Sequence, residues 1–139
     1  MQIGGTGVLP RHQIMLLDDD EDMLDLLKLA LENRGLLTCC FSDPSEFFAA
    51  LHSARPALVI TDLHIDQFDG LEVCRRMTEE YPQVALVVLS GDGAQQKSAL
   101  RGGADLFLTK PIEAQALGDA VVSLLTPASM EAREDGRGL

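Results

Sequence analysis

Five short apolar runs, each continuous rather than alternating, constrain this chain more than any other feature. They occupy residues 14–17 (IMLL), 35–41 (GLLTCCF), 57–60 (ALVI), 84–89 (VALVVL) and 105–108 (DLFL), bounded by Asp, Ser, Gly or Pro. A half-buried strand alternates apolar and polar residues, whereas an unbroken run belongs to a strand covered on both faces, as in a parallel sheet. The segments between the runs carry helical signals. Over 21–34, Leu24, Leu27 and Leu31 share one helical face and Gly35 supplies the stop. Asp43-Pro44-Ser45-Glu46 reads as an N-cap, a proline at the first helical position and an acid three residues after the cap. That helix carries Phe47, Phe48 and Leu51, and further helices are predicted over about 70–81, 94–101 and 113–125. Five βα units joined by short connections require right-handed crossovers, a parallel sheet and helices on both of its faces. The expected fold is α/β, a doubly wound five-stranded parallel sheet in a three-layer sandwich.

A chain of 139 residues holds one such domain and little else. Residues 1–11 and 127–139 lack periodicity and are expected to be flexible tails around a domain spanning 12–126. The 46% apolar content supports a real core, and with 4% aromatics that core must be aliphatic. Eleven Lys plus Arg against 22 Asp plus Glu leave a formal charge of −11, which opposes binding to nucleic-acid phosphates or an anionic membrane surface. No apolar stretch is long enough to cross a bilayer, and the N-terminus lacks the pattern of a secretion signal. Cys39, Cys40 and Cys74 form no paired framework and no CxxC, so reduced thiols and a cytoplasmic location are expected. These cysteines read as small buried hydrophobes.

In a doubly wound sheet, ligands bind beyond the carboxyl ends of the strands, so the residues that end each run are the informative ones. The first run ends in Asp18-Asp19-Asp20, the third in Thr61-Asp62, the fourth in Ser90-Gly91 and the fifth in Thr109-Lys110-Pro111. Carboxylates converging on one rim cannot all stay ionised without a counter-charge. A hard divalent cation supplies it, and a few protein oxygens with retained waters suit Mg²⁺ better than a closed Ca²⁺ cage. A metal, an ammonium and a hydroxyl around one further carboxylate are the parts that stabilise a transferring phosphoryl group, with the carboxylate as nucleophile.

The strings IMLLDDDEDML, LVITDLHIDQFDG, VVLSG and FLTKP, in this order over residues 12–126, resemble the receiver domain of two-component response regulators. The resemblance implies a flavodoxin-like (βα)5 fold and a phosphoprotein that works in a phosphorelay. It implies that Asp62 accepts a phosphoryl group from a phosphohistidine donor. Asp19 and Asp62 would be Mg²⁺ ligands, with Asp18 acting through a water and the His64 backbone carbonyl completing the set; Mn²⁺ is an expected substitute. Ser90 would bond the phosphoryl group, Lys110 would pair with it, the Lys110-Pro111 peptide would be cis, and Ser90 with Phe107 would form the switch. The partners implied are a sensor histidine kinase or phosphotransfer protein and a downstream protein target on the face of the fourth helix, fifth strand and fifth helix. With 13 residues after position 126, output is expected by protein contact, as in chemotaxis-type receivers, or else the chain is a module excised from a hybrid kinase or longer regulator. Asp66 stands where many members carry proline, and the segment from Ser90 to Lys110 is short, so a short fourth helix is expected.

Other readings of the same residues are weaker. The acids at 18–22 alone would be a helix start favoured by its dipole. As an EF-hand start they fail, because Met23 replaces the turn glycine and Leu29 the closing Glu. A haloacid-dehalogenase-type phosphatase would also use a strand-end carboxylate nucleophile, a strand-end Ser or Thr, a Lys and Mg²⁺, but its nucleophile would lie at the first strand in a D-x-D pair and a further acid pair should follow the lysine on another strand end. After Lys110 only Glu113 and Asp119 follow closely, both on a predicted helix. No turnover enzyme is expected. His12, His52 and His64 show no ligand spacing.

Overall fold

The computed structural model describes residues 13–134. In chain order the elements are β1 (Gln13–Leu17), α1 (Glu21–Glu32), β2 (Leu37–Phe41), α2 (Pro44–Ala54), β3 (Leu58–Asp62), β4 (His64–Ile65), β5 (Phe68–Asp69), α3 (Gly70–Glu80), β6 (Ala85–Ser90), a 3-10 turn (Gly93–Gln95), α4 (Gln96–Arg101), β7 (Leu106–Thr109), α5 (Ala114–Leu124) and α6 (Pro127–Glu134). The five long strands form one parallel sheet in the order β2-β1-β3-β6-β7, so the order reverses between β1 and β3. This is the doubly wound arrangement expected from the apolar runs, with its switch point at the ends of β1 and β3.

Each unbroken run resolves into two interleaved faces. Ile14 and Leu16 of β1, Leu58 and Ile60 of β3, and Ala85, Val87 and Leu89 of β6 pack with Leu24, Leu27 and Leu31 of α1 and Leu117 and Val121 of α5. The alternate residues Met15, Leu17, Val59, Leu86 and Val88 pack with Phe47 and Leu51 of α2, Val73, Cys74 and Met77 of α3 and Ala99 of α4. Side chains alternate across a strand, so a run that is apolar at every position has to be covered on both sides.

Helix starts follow their local chemistry. Asp20 caps α1 by accepting from the N–H groups of Asp22 and Met23, and Asp43 caps α2 ahead of Pro44. The fourth helix is short, as expected: six residues of α4 after a single 3-10 turn. Two elements depart from the sequence reading. Residues 127–134, expected as part of a flexible tail, form α6. Its start repeats the signal that opened α2: Thr126 Oγ1 accepts from the Ser129 N–H, and Pro127 takes the first helical position. The second departure is the β4–β5 ribbon, two antiparallel residue pairs separated from Asp62 by Leu63 alone, with Gln67 at φ +59° in its turn. Residues 1–12 and 135–139, which include the expected N-terminal tail, His12 and the last part of the C-terminal one, lie outside the described residues.

Candidate functional site

Three side chains meet at the switch point because strand alternation aims them the same way. Asp18 follows Leu16 and Ile14, Asp62 follows Ile60 and Leu58, and Lys110 follows Leu108 and Leu106, all on the α1/α5 side of the sheet. Leu17 pairs with Thr61, which sets Asp18 and Asp62 side by side. Lys110 Nζ donates to Oδ2 of Asp18 and to Oδ2 of Asp62, each at 3.2 Å. Asp18 and Asp62 are buried; Asp19, at the mouth, is exposed. Carboxylate oxygens of Asp18, Asp19 and Asp62 lie within 4.8 Å of one another.

Burial pushes the Asp18 carboxyl above the usual carboxylate range; the Asp20 N–H it accepts pulls the other way, while the charge of Asp62 adds to the rise and Lys110 opposes it. For Lys110, burial by itself disfavours the ammonium, but the charges of Asp18 and Asp62 and the hydrogen bonds to both outweigh it and hold the group above the ordinary lysine value. One ammonium thus serves two buried acids, and the third acid adds further negative charge. A set of hard oxygen donors in excess of the available positive charge fits a small divalent cation.

Main-chain donors on the other side orient two of the acids. His64 N–H donates to Asp62 Oδ1 at 3.1 Å, and Asp66 N–H donates to Asp19 Oδ2 at 2.8 Å. Asp66, which stands where many members carry proline, takes part through its main chain rather than its carboxylate. The available signal is that this position is not proline, which would have no N–H to give. The His64 side chain is exposed.

Ser90 is fully buried at the end of β6, next to β3, and its carbonyl accepts from the Lys110 N–H at 2.8 Å. Its hydroxyl is engaged in its own loop, accepting from the Asp92 N–H at 3.0 Å. The Lys110-Pro111 peptide is cis. Phe107 points into the α2/α3/α4 side of the core and is only 8% exposed. The acids weighed for a phosphatase do not join the cluster: Glu113 is the residue before α5, and Asp119 pairs with Arg34 at 2.7 Å.

Fold and site together define a doubly wound α/β protein with an acid–lysine centre at its topological switch point. Comparison with known proteins agrees: a family model described as the response regulator receiver domain matches residues 14–122, and the chain belongs to that family. The photosynthetic apparatus regulatory protein RegA of Rhodobacter capsulatus is 33% identical over 114 residues, covering 81% of this chain and 62% of RegA. The C4-dicarboxylate transport transcriptional regulatory protein DctD of Pseudomonas aeruginosa is 31% identical over 111 residues, covering 78% of this chain and 24% of DctD. The chain therefore spans less than two thirds of these relatives. The signal receiver domain of a response regulator from Bermanella marisrubri superposes with a TM-score of 0.77 at 28% identity, over 84% of this chain and 100% of that one. Among the described residues, no helix is long and apolar enough to cross a membrane.

Proposed function

We propose that this receiver domain accepts a phosphoryl group on Asp62 in a Mg²⁺-dependent reaction and signals by protein contact. The reading is carried by the convergence of Asp18, Asp19, Asp62 and Lys110 at one strand-end site. Asp18, Asp19 and Asp62, with the His64 carbonyl, are the residues that would hold the cation; when bound, it supplies positive charge against the oxygens of the transferring group. A carboxylate oxygen of Asp62 forms the new P–O bond as the P–N bond of a phosphohistidine donor breaks, and the electron pair leaves with the imidazole nitrogen. Lys110, already turned toward Asp62, pairs with the phosphoryl oxygens. The Ser90 hydroxyl exchanges its Asp92 partner for the phosphoryl group, and Phe107 is the companion switch residue.

The donor is a sensor histidine kinase or phosphotransfer protein. Output goes through the face of α4, β7 and α5, where Leu100 and Val122 are 41% and 42% exposed and available to a protein partner. The net charge of −11 makes nucleic acid an unsuitable direct target for this domain. The protein is read as a cytoplasmic signalling module without substrate turnover.

The test is incubation with a small acyl phosphate and Mg²⁺, followed by intact-mass measurement. A gain of one phosphoryl group is expected in the parent, none without Mg²⁺ and none in Asp62→Ala. An equal gain in Asp62→Ala would refute the assignment.

A further inference from the structure

We propose that Phe68 is a positioning residue for the acidic site, acting through the β4–β5 ribbon. The proposal rests on the metal-dependent reading above and adds residues that lie outside the site itself.

The ribbon has only two residue pairs, His64 with Asp69 and Ile65 with Phe68. A hairpin of that size has almost no stability of its own, so side-chain packing has to hold it. Ile65 is buried in the α2/α3/α4 side of the core, and Phe68 packs against the same cluster. The Phe68 ring lies 6.4 Å from that of Phe48 on α2, and Phe48 meets Phe47 edge-on at 5.1 Å. The Arg76 guanidinium of α3 sits 3.7 Å from the Phe48 ring centroid, a cation–π contact. Phe48 is thus fixed from two sides, and Phe68 leans on it.

The consequence reaches the acids through the main chain. The residues that begin and turn the ribbon, His64 and Asp66, place their N–H groups on Asp62 Oδ1 and Asp19 Oδ2. A carboxylate held by such a donor keeps one orientation and presents its remaining lone pairs to a cation, and loss of orienting partners of this kind costs metal sites about 10–100-fold in affinity. Asp62 and Asp19 are therefore steered from α2 and α3, on the opposite side of the sheet from Lys110's neighbours Leu106 and Leu108. The side chain of Asp66 has no part in this; its N–H does.

The experiment uses the whole chain, isotope-labelled. The first arm contains no metal and follows hydrogen exchange at the His64 and Asp66 amides. Exchange at Asp66 should quicken about tenfold in Phe68→Ala, stay near the parent in Phe68→Leu, and quicken about threefold in Arg76→Gln. The second arm titrates MgCl₂ and reads amide shifts. The Kd should weaken about tenfold in Phe68→Ala and in Asp66→Pro, which lacks the donor, but change less than twofold in Asp66→Ala, which keeps it. Unaltered Asp66 exchange in both Phe68→Ala and Arg76→Gln overturns the proposal, as do equal affinities of Asp66→Ala and Asp66→Pro. Should Phe68→Ala fail to fold, Arg76→Gln and Asp66→Pro carry both arms. A parent chain that takes up no Mg²⁺ sinks the functional reading above, and the metal-free exchange arm then decides the role of Phe68 alone.

Discussion

The ammonium of Lys110 stands 3.2 Å from Oδ2 of Asp62, and from the same position reaches Asp18. Both acids are buried, and Lys110 is the cation that faces them. Removing one partner of a buried ion pair leaves an uncompensated charge, which costs more than the pair contributes. Lys110→Met is expected to destabilise the protein by roughly 2–3 kcal/mol in Mg²⁺-free buffer. Mg²⁺ should restore part of the loss, because a cation bound by the folded state alone stabilises it by mass action. Urea unfolding with and without MgCl₂ measures both; an unchanged midpoint in the metal-free arm would contradict the pairing.

The raised pKa of Asp18 makes a signed prediction. The folded protein holds this proton more tightly than the unfolded chain does, so the group favours folding at low pH and that contribution is lost as pH rises through the elevated native value. At pH 7 the buried charge is a liability. Asp18→Asn should therefore be neutral or stabilising in Mg²⁺-free buffer at neutral pH, and its advantage should vanish below about pH 4, where the unfolded carboxyl is also protonated. Lys110 has its own window: its raised value supports folding below the unfolded lysine pKa and that support is lost as pH climbs through the higher folded one. Melting temperatures of parent and variant across pH 3–8 test the Asp18 effect. A variant that is least favourable at pH 7 and improves toward acid would reverse the sign and reject it.

Of the three cysteines expected to be buried, Cys39 is half-buried and Cys40 exposed on the edge strand β2, while Cys74 lies within the α2/α3/α4 side of the core, where burial pushes its thiol up to about 11. At pH 8 only about one such thiol in a thousand is ionised, and the thiolate is the reactive form. Titration with a thiol reagent at pH 8 should leave Cys74 unlabelled in the native protein and modify it fully in urea. Peptide mapping after labelling reads the site directly, and rapid native modification of Cys74 would place it elsewhere.

Gly70 closes the ribbon onto α3, donating its N–H to the Leu63 carbonyl. A Cβ here would overlap the Leu63 main chain, whereas one on Gly91 would meet nothing within 4 Å. Backbone cannot rotate away as a flexible side chain can. Gly70→Ala should cost about 2–3 kcal/mol and Gly91→Ala less than about 0.5 kcal/mol. Matched denaturation curves decide this, and similar losses in the two variants would refute the steric reading.

Much of this architecture can be read along the chain, because its signals are local. The five apolar runs, the Asp43-Pro44 cap and the stop at Gly35 each concern residues within one or two turns of each other. The same holds for the strand ends: Asp18, Asp62, Ser90 and Lys110 follow directly from where each run stops, and parity along each strand then aims three of them together. The Thr126-Pro127 start of α6 was equally local and is passed over because glycine and charge dominate the segment that follows.

Contacts that join distant residues could not be read that way. The Asp66 N–H meets a carboxylate 47 positions earlier, and beyond the lack of a proline at 66 nothing nearby announces it. Likewise the inward Phe107 and the Phe68–Phe48–Arg76 stack depend on how helices settle on the sheet. Composition, caps and periodicity are properties of neighbouring residues and select the kind of fold. Which donor meets which acceptor across the sheet is a property of packed geometry, where differences of an ångström separate a hydrogen bond from none.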